Sequence, residues 1–328
     1  GTGKKAAMSS LSGSEDNPNA AARQPLREIF EKYRNKKILF VEPGGNWGDH
    51  LIYRGAEHLA EEIGLTWHRV DRITFLREGA GDTEVLYIHG SGGFTHYTAG
   101  RAAEVLVKAL SLPGVTVIQG PCTIGEPKAL QPVLTALSKM QAAHLIFLTR
   151  ELRSAEIAHA VLPESVTRQT NEDTAFYLDE PAIISMSGRI RRRLKLIAVR
   201  EDRESVAVAA LARPDETVVD PAIAAKSFDH WLRIHVAATT IVTNRTHSAI
   251  CCAILGTPVT IFGGAYHKNK SIWEFSLKCR GVTWVDDTSR IPKRPEIDPI
   301  LANLPFERMR KSYKLTWLVQ RFKGFPAA

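Results

Sequence analysis

Short apolar runs alternate along this chain with stretches whose apolar residues recur every three or four positions, and few folds accommodate that rhythm. Leu26, Ile29, Phe30 and Tyr33 mark a helix, after which 37–41 (KILFV) reads as a buried strand running into Gly44 and Gly45. Behind them Ile52, Gly55, Ala56, Leu59, Ala60 and Ile63 form an apolar face at helical period, with small residues that allow close packing on a sheet. Further strands are read at 66–70, 84–88, 115–119 and 145–149, and helices at 102–110, 127–140 and 154–160. After residue 193 the series resumes, with strands at 194–199, 217–219, 240–243, 259–262 and 282–285 and helices at 204–211, 229–237 and 246–255. Alternation of this kind builds parallel sheets covered on both faces by helices.

Between Asp179 and Arg193 the pattern lapses into Pro, Ser, Gly and Arg, as a linker does. The expected architecture is α/β: two Rossmann-like parallel-sheet domains facing a cleft, at 24–180 and 194–300, joined by a linker at 181–193. Residues 1–23, rich in Gly, Ser, Ala and Asn and without the apolar stretch of a secretion signal, read as a flexible leader, and 301–328 as a basic C-terminal helix. A length of 328 residues, 44% hydrophobic and 24% charged, suits two globular domains and excludes collagen-like, disulfide-stapled and wholly disordered chains. The apolar run 248–265 is broken by Gly256, Pro258, Gly263 and Gly264, short of what a membrane-spanning helix needs. Cys122, Cys251, Cys252 and Cys279 show no CxxC spacing and read as four buried thiols in a reducing compartment, which points to the cytoplasm.

The net charge of +8 is local. Arg189, Arg191, Arg192, Arg193 and Lys195 cluster without an acid, and Arg308, Arg310, Lys311, Lys314, Arg321 and Lys323 surround only Glu307. Two basic patches follow rather than a polyanion-binding surface, and solvated helix faces, an anionic membrane or nucleic acid each fit them. No basic stripe interleaved with aromatics appears, so nucleic acid is not expected as a partner.

Ligands of open parallel sheets bind outside the carboxyl ends of strands, which directs attention to the loops there. Gly44-Gly45-Asn46-Trp47-Gly48-Asp49 follows a strand and opens a helix, so its amides can meet an anion, although a tight turn with Asp49 as helix cap explains it equally well. It lacks the lysine of a phosphate-binding Walker loop and fails the dinucleotide spacing. His89-Gly90-Ser91-Gly92-Gly93-Phe94 and Gln119-Gly120-Pro121 are two more glycine loops at strand ends. Arg150 and Arg200 end strands and Arg245 follows one, which reads either as three anion clamps or as surface ion pairs, such as Arg150 with Glu151 or Arg200 with Glu201 or Asp202. Asn244-Arg245-Thr246-His247 sets four polar groups between an apolar strand and an apolar helix, placing an imidazole in a first helical turn as a candidate acid or base. No zinc-type His/Cys set, paired acids or GxSxG elbow is placed in these loops, so neither a metal nor a serine nucleophile is expected.

Taken in order, these motifs resemble the polysaccharide pyruvyl transferase family from about Lys37 to Asp286. Gly45-Asn46-Trp47-Gly48-Asp49 is similar to its N-x-GD loop, Gly90-Ser91-Gly92-Gly93 to its glycine triplet, and Arg150-Glu151 through Ser154 to its R[DE]xxS. Asn244-Arg245-Thr246-His247 resembles its D-R-x-H signature, followed by Gly256-Thr257-Pro258 and Lys268. Two departures stand out: Asn244 replaces an aspartate common in the family, and Ser91 interrupts the glycine triplet. The resemblance implies a two-domain arrangement similar to GT-B glycosyltransferases and transfer of the enolpyruvyl group of phosphoenolpyruvate onto a sugar as a ketal, with no further cofactor. It implies His247 as general acid or base, Asp49 as a weaker partner for the acceptor hydroxyl, and Arg150, Arg200, Asn244, Arg245, Thr246 and Lys268 around the donor. On the acceptor side it leaves Asn46, Gly48, His89, Gly92 and Gly93, with His96 and Tyr97 offering polar and stacking contacts to an oligosaccharide, free or lipid-linked. Phe306, Met309, Tyr313 and Trp317 form a helical stripe beside the terminal cations, suited to packing across the domains or to peripheral contact with the inner face of the cytoplasmic membrane. A GT-B glycosyltransferase using a nucleotide sugar is the alternative, for which Glu274 is a weak ribose-binding candidate. A non-catalytic binding protein would leave the Arg245/His247 pair unexplained.

Overall fold

The computed structural model describes residues 19–98, 100–205, 210–211 and 213–293. The first half runs α1 (Gln24–Lys32), β1 (Lys37–Glu42), α2 (Trp47–Ile63), β2 (Thr66–Asp71), α3 (Arg72–Glu78), β3 (Val85–Ile88), α4 (Arg101–Leu110), β4 (Thr116–Cys122), α5 (Gln131–Leu137), β5 (His144–Thr149), α6 (Leu152–Val161) and β6 (Thr167–Thr170). Then α7 (Glu180–Ser187) leads to β7 (Leu194–Ala198), β8 (Ala210–Leu211), β9 (Glu216–Val219), α8 (Pro221–Ala224), α9 (Phe228–Val236) and β10 (Ala238–Thr243). The series closes with α10 (Thr246–Ile254), β11 (Val259–Phe262), α11 (Lys268–Ile272), β12 (Thr283–Val285) and β13 (Pro292–Lys293).

Two parallel sheets result, the α/β two-domain plan expected of a GT-B-like chain. The first has the order β2-β1-β3-β4-β5-β6 and the second β12-β11-β10-β7-β9, while β8 and β13 pair separately. In each sheet the chain moves outward one way from its first strand and then returns to the other side, so strand order reverses beside β1 and beside β7. Loops diverge at such a reversal and leave a crevice. The loops after β1 and β3 and those after β7 and β10 therefore supply both walls of the cleft.

The strands flanking the reversal in the first sheet are buried along both faces, which is why KILFV and its successors read as continuous apolar runs. Edge strand β6, with the sequence TRQT, alternates exposed and half-buried positions and carries no apolar signal. The two halves share a core: Leu51 of α2 and Ala175, Phe176, Leu178 and Ile183 cluster with Trp231, Leu232 and Ile250 of the second half. Gly55 makes this closeness possible, because a Cβ there would lie far inside contact distance of the Thr174 main chain, and Thr174 Oγ1 donates to the Ile52 carbonyl at 2.7 Å.

Several expectations change. The stretch around 181–193 contains helix α7, whose buried Ile183 packs with the second core. Of the leader, Ala20–Arg23 form a 3-10 turn, and the buried Arg23 pairs with Glu172 at 3.0 Å. The helix expected over 204–211 does not form at its described ends: Glu204 is in a turn and 210–211 form β8. The helix expected over 127–140 splits into a 3-10 turn, Pro127–Leu130, and the short α5, since Pro132 starts a fresh helix there. Cys279 is exposed, unlike the other three thiols. No helix among the described residues is long and apolar enough to cross a membrane. The basic segment 301–328 and most of the leader lie outside the described residues.

Candidate active site

A cleft of about 340 Å³ opens between the two reversal points, lined by the loops after β1 and β3, by Arg150, and from the second half by Arg200, Asp202, Glu204, Arg245, Thr246, His247 and Lys268. Asn46, rather than Asp49, caps α2: its Oδ1 accepts from Gly48 N at 2.8 Å, while Asp49, in the first turn, accepts through Oδ2 from Asn46 N at 2.8 Å. This reciprocal box fixes the loop and leaves Asp49 Oδ1 facing the second half, 3.9 Å from His247 Nδ1. Gly48 is needed for that approach, because a Cβ there would sit 3.1 Å from His247 Cβ.

His247 stands in the first turn of α10, where no side chain caps the helix and its amide dipoles favour an anion. Its Nε2 lies 3.4 Å from Asp173 Oδ2 and 3.4 Å from Arg150 Nη1. Arg150 and Asp173 are each 1% exposed at the side chain and joined at 2.7 Å, and Arg150 Nε donates to Thr123 Oγ1 at 2.8 Å. Burial alone would raise the Asp173 carboxyl, but the His247 hydrogen bond and the Arg150 charge outweigh it and hold the group well below the usual carboxylate range. The carboxylate and the guanidinium behind the imidazole fix the orientation of the ring.

Around the other wall, Arg245 is gripped by Asp220 through Nε at 3.0 Å and Nη2 at 2.5 Å. Arg200 is held by Asp202 at 2.9 and 2.8 Å and by Glu204 at 2.8 Å. Both arginines are therefore ion-paired while lining the cavity, and the Arg200–Asp202 pair is one that the sequence offered. Lys268 Nζ donates to Glu204 at 2.5 Å, and its burial, aided by the Arg200 charge and only partly opposed by Glu204, lowers its pKa to about 8. Gly92 lets the first-half loop reach these cations: a Cβ there would meet Arg150 Nη2 at 3.3 Å. Asn244 stands behind the cleft and accepts from Arg200 N at 2.8 Å, and Thr246 Oγ1 donates to Asn269 at 2.7 Å.

Asn46, Gly48, Asp49, Gly92, Gly93, Tyr97, Arg150, Arg200, Arg245, Thr246, His247 and Lys268 thus meet in one cavity. Tyr97 also stacks on Tyr266 across the cleft, centroids 5.6 Å apart. His89 does not join them: it has no exposed surface, and its ring is enclosed by Phe40, Tyr53 and Tyr87, because its side chain turns toward the core as the strand ends. His96 is exposed and turned away to Glu126, 3.1 Å from its Nδ1. Gln119-Gly120-Pro121 continue β4 through a bulge, and Gly120 and Gly90 are small because these two backbones touch each other, not a ligand. Sequence reading missed Asp173 and Asp220. Asp220 follows an apolar strand and was accessible to the rule that found the arginines; Asp173 follows the polar β6 and gave no such signal.

A family model for polysaccharide pyruvyl transferase matches residues 46–266, from the α2 cap through His247 and ending two residues short of Lys268. A solved structure, that of a functionally uncharacterised protein from Klebsiella pneumoniae, is similar in fold, with a TM-score of 0.59 and 18% identity over 80% of this chain and 97% of that one. No curated protein matches the chain.

Proposed function

Since the chain belongs to the polysaccharide pyruvyl transferase family, we propose that it moves the enolpyruvyl group of phosphoenolpyruvate onto two hydroxyls of one sugar in an exopolysaccharide repeat unit, forming a pyruvate ketal and releasing phosphate. The observation that carries this reading is the convergence of His247, braced by Asp173 and Arg150, with Arg200, Arg245 and Lys268 in one cavity. Phosphoenolpyruvate brings a carboxylate and a phosphate, and a site for it needs several cations and a helix N-terminus, both of which stand on this wall.

In the proposed reaction His247 delivers a proton to the donor's methylene carbon, and cationic character develops at the adjacent carbon. One sugar hydroxyl adds there, the C–O bond to phosphate breaks, and the second hydroxyl closes the ketal. Two hydroxyl protons are released: one restores His247 and the other leaves with phosphate or solvent. Asp173 and Arg150 hold the imidazole in position for the transfer. Asp49 has Oδ1 toward His247 at the cleft, where it can orient the acceptor hydroxyl.

The test is incubation of the protein with phosphoenolpyruvate and a panel of synthetic and lipid-linked oligosaccharides, read by mass spectrometry for a pyruvyl increment together with phosphate release. His247→Gln is expected to remain folded and lose turnover, and near-normal activity would remove this residue from the role. If thermal stability rises with nucleotide sugars and not with phosphoenolpyruvate, glycosyl transfer replaces the assignment.

A further inference from the structure

Three carboxylates hold the Arg200/Arg245 pair, and they are not equivalent. Asp220 grips Arg245 from behind with 1% side-chain exposure, and Glu204 holds Arg200 with 11%. Asp202 is 39% exposed and lines the cavity. Its Oδ1 accepts from Arg200 Nε at 2.9 Å, while Oδ2 lies 2.8 Å from Arg200 Nη2 and 2.9 Å from Arg245 Nη1. One carboxylate thus bridges two guanidinium forks on their cavity side, the geometry with which arginines take a carboxylate or phosphate group of a ligand.

We propose that Asp202 is a stand-in anion: it occupies the Arg200/Arg245 fork until an anionic group of the donor displaces it, and it returns as phosphate departs. The inference rests on the reading of the site as one for a donor with two anionic groups. The fork does not depend on Asp202 for its position, since Arg200 keeps Glu204 at 2.8 Å and Arg245 keeps Asp220 at 2.5 Å without it. Among the described residues Asp202 itself is tied otherwise only through local contacts, its Oδ1 accepting from Glu204 N at 3.1 Å and its carbonyl from Ser205 N at 2.9 Å. Displacement therefore needs a side-chain rotation rather than a rearrangement of the sheet. Its consequence is a donor affinity held down by internal competition, which favours release of the phosphate product.

Calorimetric titration of the full chain with inorganic phosphate and with phosphoenolpyruvate tests this, using the parent, Asp202→Ala and Asp202→Asn, with thermal denaturation as the check on folding. Removing a partly exposed competing ion pair is expected to tighten both ligands by about twofold to fivefold in Asp202→Ala and by less in Asp202→Asn. Unchanged or weaker binding in both folded variants would overturn the proposal and make Asp202 a brace for the arginines. If phosphate tightens while phosphoenolpyruvate binds no better than phosphate in any of the three proteins, displacement stands and the donor assignment fails. If the parent turns over phosphoenolpyruvate and its KM is unaltered in Asp202→Ala, the donor assignment stands and displacement fails.

Discussion

Acidification from pH 7.5 to 5 is expected to remove about 2 kcal/mol of stability through His89 alone. Its ring has no exposed surface, its centroid lies 4.6 Å from that of Tyr53, and both nitrogens are without a hydrogen-bond partner among the described residues. Burial first, and then the positive charges of Arg69, His50 and Arg54, lower its pKa from 6.5 to about 3. Below pH 6.5 the unfolded chain takes up a proton that the folded protein refuses, so stability is complete above that value and falls until the folded group titrates near 3. At about 1.4 kcal/mol per unit the full loss approaches about 5 kcal/mol, of which about 2 has gone by pH 5. His235 adds a comparable loss over the same interval: burial lowers it to about 4 despite its hydrogen bond to the Trp231 carbonyl. Together they remove about 4 kcal/mol, a large share of the 5–15 kcal/mol that a folded domain commands.

The perturbation is His89→Leu, which keeps the volume roughly constant and removes the titrating ring and its two unpartnered nitrogens. Urea denaturation followed by far-ultraviolet circular dichroism at pH 7.5, 6.5, 5.5 and 5 should show a variant at least as stable as the parent at neutral pH, with a pH-dependent loss about 2 kcal/mol smaller at pH 5. Parallel stability curves for the two proteins would refute the reasoning, since they would mean that His89 is protonated equally in the folded and unfolded states.

Three further outcomes are expected. Gly55→Ala should gain the roughly 1 kcal/mol of helix propensity and lose more through collision with the Thr174 main chain, for a net cost of about 2 kcal/mol and a lower Tm; a raised Tm would mean that α2 does not pack this closely. Asp173→Asn leaves the buried Arg150 without its charged partner, which should cost about 3–5 kcal/mol in denaturant unfolding and abolish turnover. Lys268 loses its charge as pH rises through about 8, so KM for phosphoenolpyruvate should climb about tenfold between pH 7 and 9.5, and Lys268→Met should be weak and flat over that range in steady-state assays.

The parts legible in sequence share a local cause. A strand buried on both faces must be apolar throughout, so KILFV and its counterparts announce themselves, and a polar residue directly after such a strand sits at the sheet's carboxyl edge whatever the rest of the chain does. Arg150, Arg200 and Arg245 were found by that rule and His247 by the polar cluster between strand and helix, and all four line one cavity. The same rule named His89, and there it failed. Position along the strand was right, but the direction of the side chain depends on which aromatic residues of β1, α2 and β3 close around it.

What tertiary structure decided was pairing. Asp173 reaches Arg150 from β6 and His247 from across the cleft, and Asp220 reaches Arg245 from β9, because strand order sets their loops side by side. Sequence separation carries no trace of that neighbourhood. Hydrophobic periodicity is a short-range property that fixes where each strand ends and so which residues stand at the edge. Strand order depends on how all of those strands are buried together, and it determined that Arg150, Arg245 and Lys268 would each meet a carboxylate distant in sequence, and that Asp202 would meet Arg245 as well as its near neighbour Arg200.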